Sequence, residues 1–251
     1  MDFVQGTKLV VEKGMTAATG NLYKGMDEFE DMSFVIHSLR PGDRFIDIGA
    51  NIGSYTILAS GVAGAKSISI EPSDEIYSSL KRNVLLNGLS EKVECLNIAV
   101  SSKNEELFVT IGRGAKNRVT YDKQNEVKRV ESKSLDGILK KNNEASVLKI
   151  DVEGFEGEVI EGGKSILEDK KTALVVEISN QSSRYNSKPK DTHKMILEKG
   201  FYPIKYSPLK REISETNGIG KSKNTVYVNN VEFFRKRVME SDEFRVMKRK
   251  V

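Results

Sequence analysis

RFIDIGANIG, residues 44–53, decides the fold. The run from Arg44 to Ile48 is apolar with a single acid and ends in a glycine, which reads as a buried strand. The glycines after it predict a tight turn into a helix over 52–62. Working outward, KSISIE (66–71) reads as a second strand and 73–87 as a helix. Ile76, Leu80, Val84 and Leu85 share one face of that helix, and Ser73 stands at its N-cap position. VECLNIAV (93–100) reads as a third strand. Strand–helix–strand–helix–strand within the first hundred residues predicts a parallel sheet with right-handed crossovers.

The alternation extends in both directions. Upstream, Lys8–Val11 is a short strand candidate, and 26–39 is a helix with Phe29, Met32, Val35, Ile36 and Leu39 on one face, closed by Pro41 and Gly42. Downstream, ELFVTI (106–111) and VKRVES (127–132) read as strands flanking the polar loop 112–126, followed by a helix in SLDGILKK (134–141). Strand VLKIDV (147–152), helix 155–169 and strand ALVVEI (173–178) come next, then a polar stretch 179–190. Helix 191–199, strand FYPIKYS (201–207), a second polar loop at 207–223, strand NTVYVN (224–229) and a C-terminal helix complete the chain. The expectation is an α/β, Rossmann-like fold: roughly seven strands in one mostly parallel sheet, with helices on both faces. No linker interrupts it. Residues 1–251 therefore read as a single domain, with a helical cap at 1–40, a core at 41–230 and a basic helix at 231–251.

Composition narrows the partners. Of 251 residues, 38% are hydrophobic and 30% charged, enough apolar material for a sizeable core. Forty Lys and Arg against 36 Asp and Glu leave a net charge of +4, too weak a bias for a nucleic-acid binder. Much of that excess lies in 231–251, with seven Lys or Arg against four Asp or Glu, and the stretch reads as a solvated helix face. Cys95 is the only cysteine, so no intramolecular disulfide forms, and it reads as a small core residue. Neither a signal peptide nor a membrane span is expected, and a cytoplasmic location is the default. His37 and His193 fall in helical stretches and read as structural or solvent-facing.

The first candidate site is the turn Asp47–Gly53. Ligands of open α/β sheets bind beyond the carboxyl ends of the strands, near the switch point. A dinucleotide fingerprint needs glycine at the first of its three positions. Asp47 stands there instead, and its carboxylate would repel a pyrophosphate while suiting an amino-acid moiety. This favours S-adenosylmethionine over a nicotinamide cofactor. Glu71, followed by Pro72 and about 20 positions past the turn, is placed to accept hydrogen bonds from two ribose hydroxyls.

The second candidate site is KIDVEGFE, residues 149–156. Lys149 and Asp151 share one face of their strand, and Asp151 stands at its carboxyl end. Glu153 and Glu156 suit the positive end of the following helix. Amino-group methylation often uses an Asn-Pro-Pro-aromatic turn here; Asp-Val-Glu-Gly points instead to a hydroxyl acceptor. Such an acceptor needs a base to take its proton, and Asp151, Glu153 and Glu177 are the candidates. The alternative use for these carboxylates is a divalent metal, which is not the expectation.

Together these residues resemble the FkbM family of methyltransferases. The resemblance runs from about residue 25 to 205 and rests on an ordered set: PGDRFIDIGANIGSYTILAS (41–60), EPSDEIYSSLKRNVLLNGL (71–89), AVSS (99–102), SLDGIL (134–139), LKIDVEGFEGEVIEGG (148–163) and LVVEI (174–178). It implies a class I methyltransferase fold, S-adenosylmethionine as donor, and O-methylation of sugars or other secondary metabolites. Asp47, Gly49, Asn51, Gly53, Tyr55 and Glu71 match the family's cofactor motif, with Ala50 and Pro72 inside the same segments. Asp151, Glu153 and Gly154 match its second motif. Glu28 falls where the family often carries an acid before the first strand. The expected partner is a small-molecule or carbohydrate acceptor. The competing readings are a methyltransferase of RNA or protein, marked by the basic residues of Arg113–Arg129, and a binding protein that keeps the fold without catalysis.

Overall fold

The computed structural model describes residues 1–12, 16–112, 117–121, 126–139, 146–168, 171–178, 188–220, 224–247 and 249–251. Its centre is an eight-stranded sheet. β1 (Arg44–Ile48) lies between β2 (Lys66–Ile70), which leads on to β3 (Val93–Leu96), and β8 (Val147–Ile150), which leads on to β9 (Ala173–Glu177). These five strands pair in parallel. β12 (Asn224–Val228) pairs antiparallel with both β9 and β10 (Tyr202–Ser207), and β11 (Glu212–Glu215) closes that edge. The chain runs outward from β1 to β3 and returns to β8 on the other side of β1, so the switch point lies between β1 and β8.

Strand alternation sorts the side chains onto two faces. Ile46, Ile48, Leu148, Ile150, Leu174 and Val176 join one apolar cluster, which reaches Val159 and Ile160 of α6 (Glu156–Glu161) and Ile196 of α7 (Pro189–Glu198). Phe45, Val147 and Val175 face the other way. They pack with Phe34 and Val35 of α2 (Phe29–Ser38), Ile57 of α3 (Ser54–Ile57), Leu80 of α4 (Asp74–Leu86) and Phe234 of α8 (Val231–Met239). Helices thus cover both faces. The same alternation sends Asp47, Ser69, Glu71, Lys149, Asp151 and Glu177 to the α2–α3 side.

Several expectations change in detail. VECLNIAV is two strands: after β3, Asn97 donates to the Glu71 carbonyl at 2.9 Å, and the chain turns into β4 (Ala99–Ser101). β4 belongs to a second sheet, ordered β4-β7-β5-β6, with β5 Glu105–Thr110, β6 Val119–Thr120 and β7 Val127–Ser134. The 207–223 loop contains β11, which brings the main sheet to eight strands. Lys8–Val11 forms no strand; the backbone N–H groups of Lys8 and Val10 donate to the side chains of Asn87 and Asn83 instead. Helix 155–169 stops at Glu161, and a 3-10 turn at Ile166–Glu168 follows. Gly162 follows the helix and lets the backbone of β4 approach, since a β-carbon there would lie 2.2 Å from the Ser101 carbonyl oxygen. Ser73 occupies the N-cap of α4, but its hydroxyl makes no cap and accepts from Asn117 at 3.1 Å.

The C-terminal helix ends at Met239 rather than running to 251. The guanidinium of Arg211 takes the carbonyls of Val238, Ser241, Asp242 and Val251, which satisfies the helix end and holds the segment beyond it. That segment forms a two-stranded ribbon, β13 (Arg245–Val246) with β14 (Arg249–Lys250). The basic side chains of α8 are largely paired, Arg237 with Asp43 and Arg235 with Glu215 and Glu232. Cys95 is half-buried rather than enclosed. His37 is fully buried, bonded to the Tyr206 hydroxyl at 2.5 Å and stacked on Phe244; burial drives its pKa down to about 3. Among the described residues no helix is long and apolar enough to cross a membrane.

Candidate active site

A cleft of about 470 Å³ opens at the carboxyl ends of β2, β1, β8 and β9, across the switch point. Its floor starts with the turn after β1. Gly49, Asn51 and Gly53 all have positive φ, at +78°, +52° and +89°. The backbone N–H groups of Gly49 and Ala50 both donate to the Ile70 carbonyl at 3.0 Å, folding the turn against β2. A β-carbon on Gly49 would lie 1.9 Å from the Asp151 carbonyl oxygen. The sequence suggests that this glycine makes room for a ligand; its neighbour is the backbone beyond β8.

Glu71 is pinned beside that turn. Its two carboxylate oxygens accept from the backbone N–H of Asn51 at 3.1 Å and of Ser73 at 2.9 Å. Burial outweighs these bonds and pushes its pKa up to about 7. Asp47, equally buried, accepts from the Thr56 hydroxyl at 2.6 Å, and Thr56 in turn meets Ser69 at 2.7 Å. Burial raises Asp47 to about 6. The Tyr55 hydroxyl donates to Glu28 at 2.6 Å, which ties the start of α2 to α3. Asn21 of α1 (Thr16–Lys24) donates to the Ser54 hydroxyl at 3.0 Å and brings α1 to the same rim.

The far end of the floor is carboxylate-rich around one buried ammonium. Lys149 is 1% exposed; its Nζ donates to Asp151 Oδ2 at 3.0 Å and lies 5.3 Å from the centre of the Tyr55 ring. Desolvation opposes its charge, but Asp151, Glu28 and Glu177 together outweigh that and push its pKa up to about 12. Asp151, Glu153 and Glu177 bring carboxylate oxygens within 4.8 Å of one another. Burial, then the charge of Asp151, pushes Glu177 up to about 9. Glu177 Oε2 is buried with no hydrogen-bond partner among the described residues.

A strained turn presents these groups. Glu153 has φ +56° and Gly154 φ +109°. Glu156 is buried, and its Oε1 accepts from the N–H of Val152 at 3.3 Å and of Gly154 at 3.0 Å. Its position at the start of α6 agrees with the sequence reading, but its task is to fasten the turn.

The cleft wall thus includes Glu28, Asp47, Gly49, Ala50, Asn51, Tyr55, Glu71, Pro72, Asp151, Glu153 and Glu177, eleven of the twelve residues the sequence singled out. Gly53 is not on that wall; it starts α3, where a β-carbon would lie 2.6 Å from Leu80. Sequence reading gave no role to Lys149, although a lysine inside the apolar strand VLKIDV is itself a signal. It also passed over Asn21, whereas Asn117 and Arg118 belong to the 112–126 loop, a segment whose position in the chain lets it reach this edge, and they line the cleft from the second sheet. Among the described residues of 207–223, none lines the cleft. Most of 179–190 and parts of 112–126 lie outside the described residues, Arg113 included.

The sequence and the fold have relatives. The Methyltransferase FkbM domain matches residues 47–203. No curated protein matches the chain. Among solved structures, the chain is similar to methyltransferase FkbM from Methylobacillus flagellatus KT, with TM-score 0.51, 15% identity, and coverage of 87% of this chain and 55% of that one. It is also similar to an S-adenosylmethionine-dependent O-methyltransferase from Thermotoga maritima, with TM-score 0.45, 16% identity, and coverage of 78% and 63%. A precorrin-6y C5,15-methyltransferase from Geobacter metallireducens gives TM-score 0.49, 10% identity, and coverage of 88% and 92%. The chain therefore spans 55% and 63% of the first two relatives. The fold is that of class I S-adenosylmethionine-dependent methyltransferases. With the domain match covering more than half of its length, the chain belongs to the FkbM methyltransferase family.

Proposed function

We propose that this methyltransferase moves the methyl group of S-adenosylmethionine to a hydroxyl of a carbohydrate or another hydroxyl-rich small molecule. The observation that carries this reading is the convergence of Asp151 and Glu177 at adjacent strand ends, within 4.8 Å and open to the cleft that Glu71 and Asp47 share.

The residues fit the donor. Glu71 keeps both oxygens at the cleft after one backbone bond each, so each has a free lone pair for a ribose hydroxyl. The backbone of Gly49, Ala50 and Asn51, and Pro72 complete the adenosyl side, and Asp47 faces the amino-acid side. Tyr55 and Glu28 border the amino-acid side. When bound, the donor supplies an electrophilic methyl on a sulfonium.

The protein's part is positioning and proton acceptance. As the C–O bond forms and the C–S bond breaks, the acceptor's hydroxyl proton must leave. Asp151 takes it. Lys149 holds Asp151 at 3.0 Å, and the raised Glu177 keeps its own proton at neutral pH. Glu153, on the same turn, is the alternative acceptor. A divalent cation among these three carboxylates would meet the Lys149 ammonium, already bonded to Asp151.

The test gives the protein methyl-labelled donor together with fractionated carbohydrate, RNA and protein acceptors. Label is expected as an alkali-stable ether in the carbohydrate fraction, and Asp151→Asn should slow transfer by about 10²–10⁴-fold. Label in RNA or protein, or full activity in Asp151→Asn, would overturn the reading.

A further inference from the structure

Residues 117–121 join the two sides of the cleft mouth. At one end the Asn117 side chain donates to the Ser73 hydroxyl at 3.1 Å, just beyond β2. At the other end the ring of Tyr121 lies against that of Phe155, with centroids 5.7 Å apart and planes inclined by 51°. Phe155 closes the turn after β8 that carries Asp151 and Glu153. Between these two anchors Asn117, Arg118 and Val119 line the cleft. β6 pairs with β5 through Val119 and Thr120, so the second sheet holds the span in place.

The two rings differ sharply in burial. Phe155 is 1% exposed and joins Val119 and Val152 in one apolar cluster, and both valines also line the cleft. Tyr121 is 52% exposed. It stands two residues beyond Val119, on the same side of an extended chain, which is the side that meets Phe155. A buried neighbour therefore steadies the Tyr121 ring and leaves half of it open, just outside the wall and beside the acid turn. An acceptor whose hydroxyl meets Asp151 extends outward over this ring. A pyranose has the matching chemistry: its C–H bonds form a flat apolar face, and its hydroxyls stand around the edge. The face suits an aromatic ring. The edge suits the carboxylates of Asp151 and Glu153 and the guanidinium of Arg118, all on the adjoining wall.

Resting on the acceptor reading above, we infer that Tyr121 is a specificity residue on which a sugar ring of the acceptor stacks. The second sheet then has a task in the reaction. It carries the platform that selects a flat, hydroxyl-edged acceptor, while the donor is held by Glu71 and the turn after β1.

The experiment varies the concentration of the carbohydrate fraction that accepts label, at saturating labelled donor, with the full chain and three variants. Tyr121→Leu keeps an apolar cover on Phe155 but removes the flat face. It should raise the half-saturating acceptor concentration about five- to ten-fold, the worth of one aromatic contact. Maximal rate and S-adenosylhomocysteine affinity by calorimetry should stay within about two-fold. Tyr121→Phe keeps the face and should match the wild type. The chain has no tryptophan, so Tyr121→Trp places a single indole at the platform, and its emission should shift as the same fraction is added. Wild-type half-saturation in Tyr121→Leu, an equal rise in Tyr121→Phe, loss of S-adenosylhomocysteine binding in Tyr121→Leu, or an unmoved emission would overturn the inference while leaving the acceptor reading in place. Absence of label from every carbohydrate fraction would overturn the acceptor reading, and the inference with it.

Discussion

Replacing Gly49 by alanine probes the junction on which the whole site is built. Two costs add. Gly49 has φ +78°, and a side chain in that region costs about 1–2 kcal/mol. The new β-carbon would also lie 1.9 Å from the Asp151 carbonyl oxygen, well inside contact distance. Neither side yields freely. Asp151 N–H is bonded to the Ile48 carbonyl at 3.0 Å, and β1 is paired with β8 through Ile48 and Ile150. Opening the gap breaks at least one buried backbone hydrogen bond, for about 1–3 kcal/mol more. The total is about 2–5 kcal/mol, equivalent to a fall in melting temperature of at least about 4 °C for a domain of this size. Gly42→Ala is the control: φ is +96°, but nothing lies within 4 Å of its β-carbon, so only the conformational cost applies. Thermal unfolding followed by circular dichroism reads both. Equal melting temperatures for the two variants would refute the close approach of the two turns.

Three further outcomes follow from the geometry. Glu156→Ala leaves the N–H groups of Val152 and Gly154 without their acceptor and should cost about 1–3 kcal/mol in urea unfolding; no change would mean that the turn stands without it. Burial raises Asp47 to about 6 and Glu71 and Glu156 to about 7, above their unfolded values of 3.8 and 4.5, so the folded state holds protons that the unfolded chain has released. The stability from these groups is complete below about pH 4 and is lost as pH rises through 6 and 7; melting of the ligand-free protein at constant salt should fall between pH 5 and pH 8, and a rise would contradict the burial of these acids. Removing 209–222 deletes β11 and the Arg211 anchor, so it should lower the melting temperature; intact stability would show that this edge is dispensable.

Short-range pattern carried most of the fold. RFIDIG and VLKIDV read as buried strands because alternation and length left little else, and the acids at their ends had to face solvent or a ligand. Asp47, Glu71 and Asp151 were legible for that reason. The failures came where tertiary contacts override local pattern. β3 ends early because Asn97 reaches back to the Glu71 carbonyl, a contact 26 residues away in sequence. β11 lies in a polar segment whose strand exists only because β10 pairs with it. Helix α8 ends at Met239, with the Val238 carbonyl and those of the segment beyond taken by Arg211 from a distant turn. Lys149 was visible on the right face, but its place under Asp151 and against Tyr55 depends on the pairing of β8 with β1. The arrival of Asn117 and Arg118 from a second sheet could not be read from spacing at all.

The central claim is that the cleft between Glu71 and Glu177 is a donor site, and the crystal structure of the protein soaked with S-adenosylhomocysteine tests it most directly. The account predicts ribose hydroxyls on the Glu71 carboxylate, the amino-acid end beside Asp47 and Tyr55, and the sulfur turned toward Asp151 and Glu177. Density for the ligand elsewhere on the molecule, or in the cleft with its ribose away from Glu71, would contradict it.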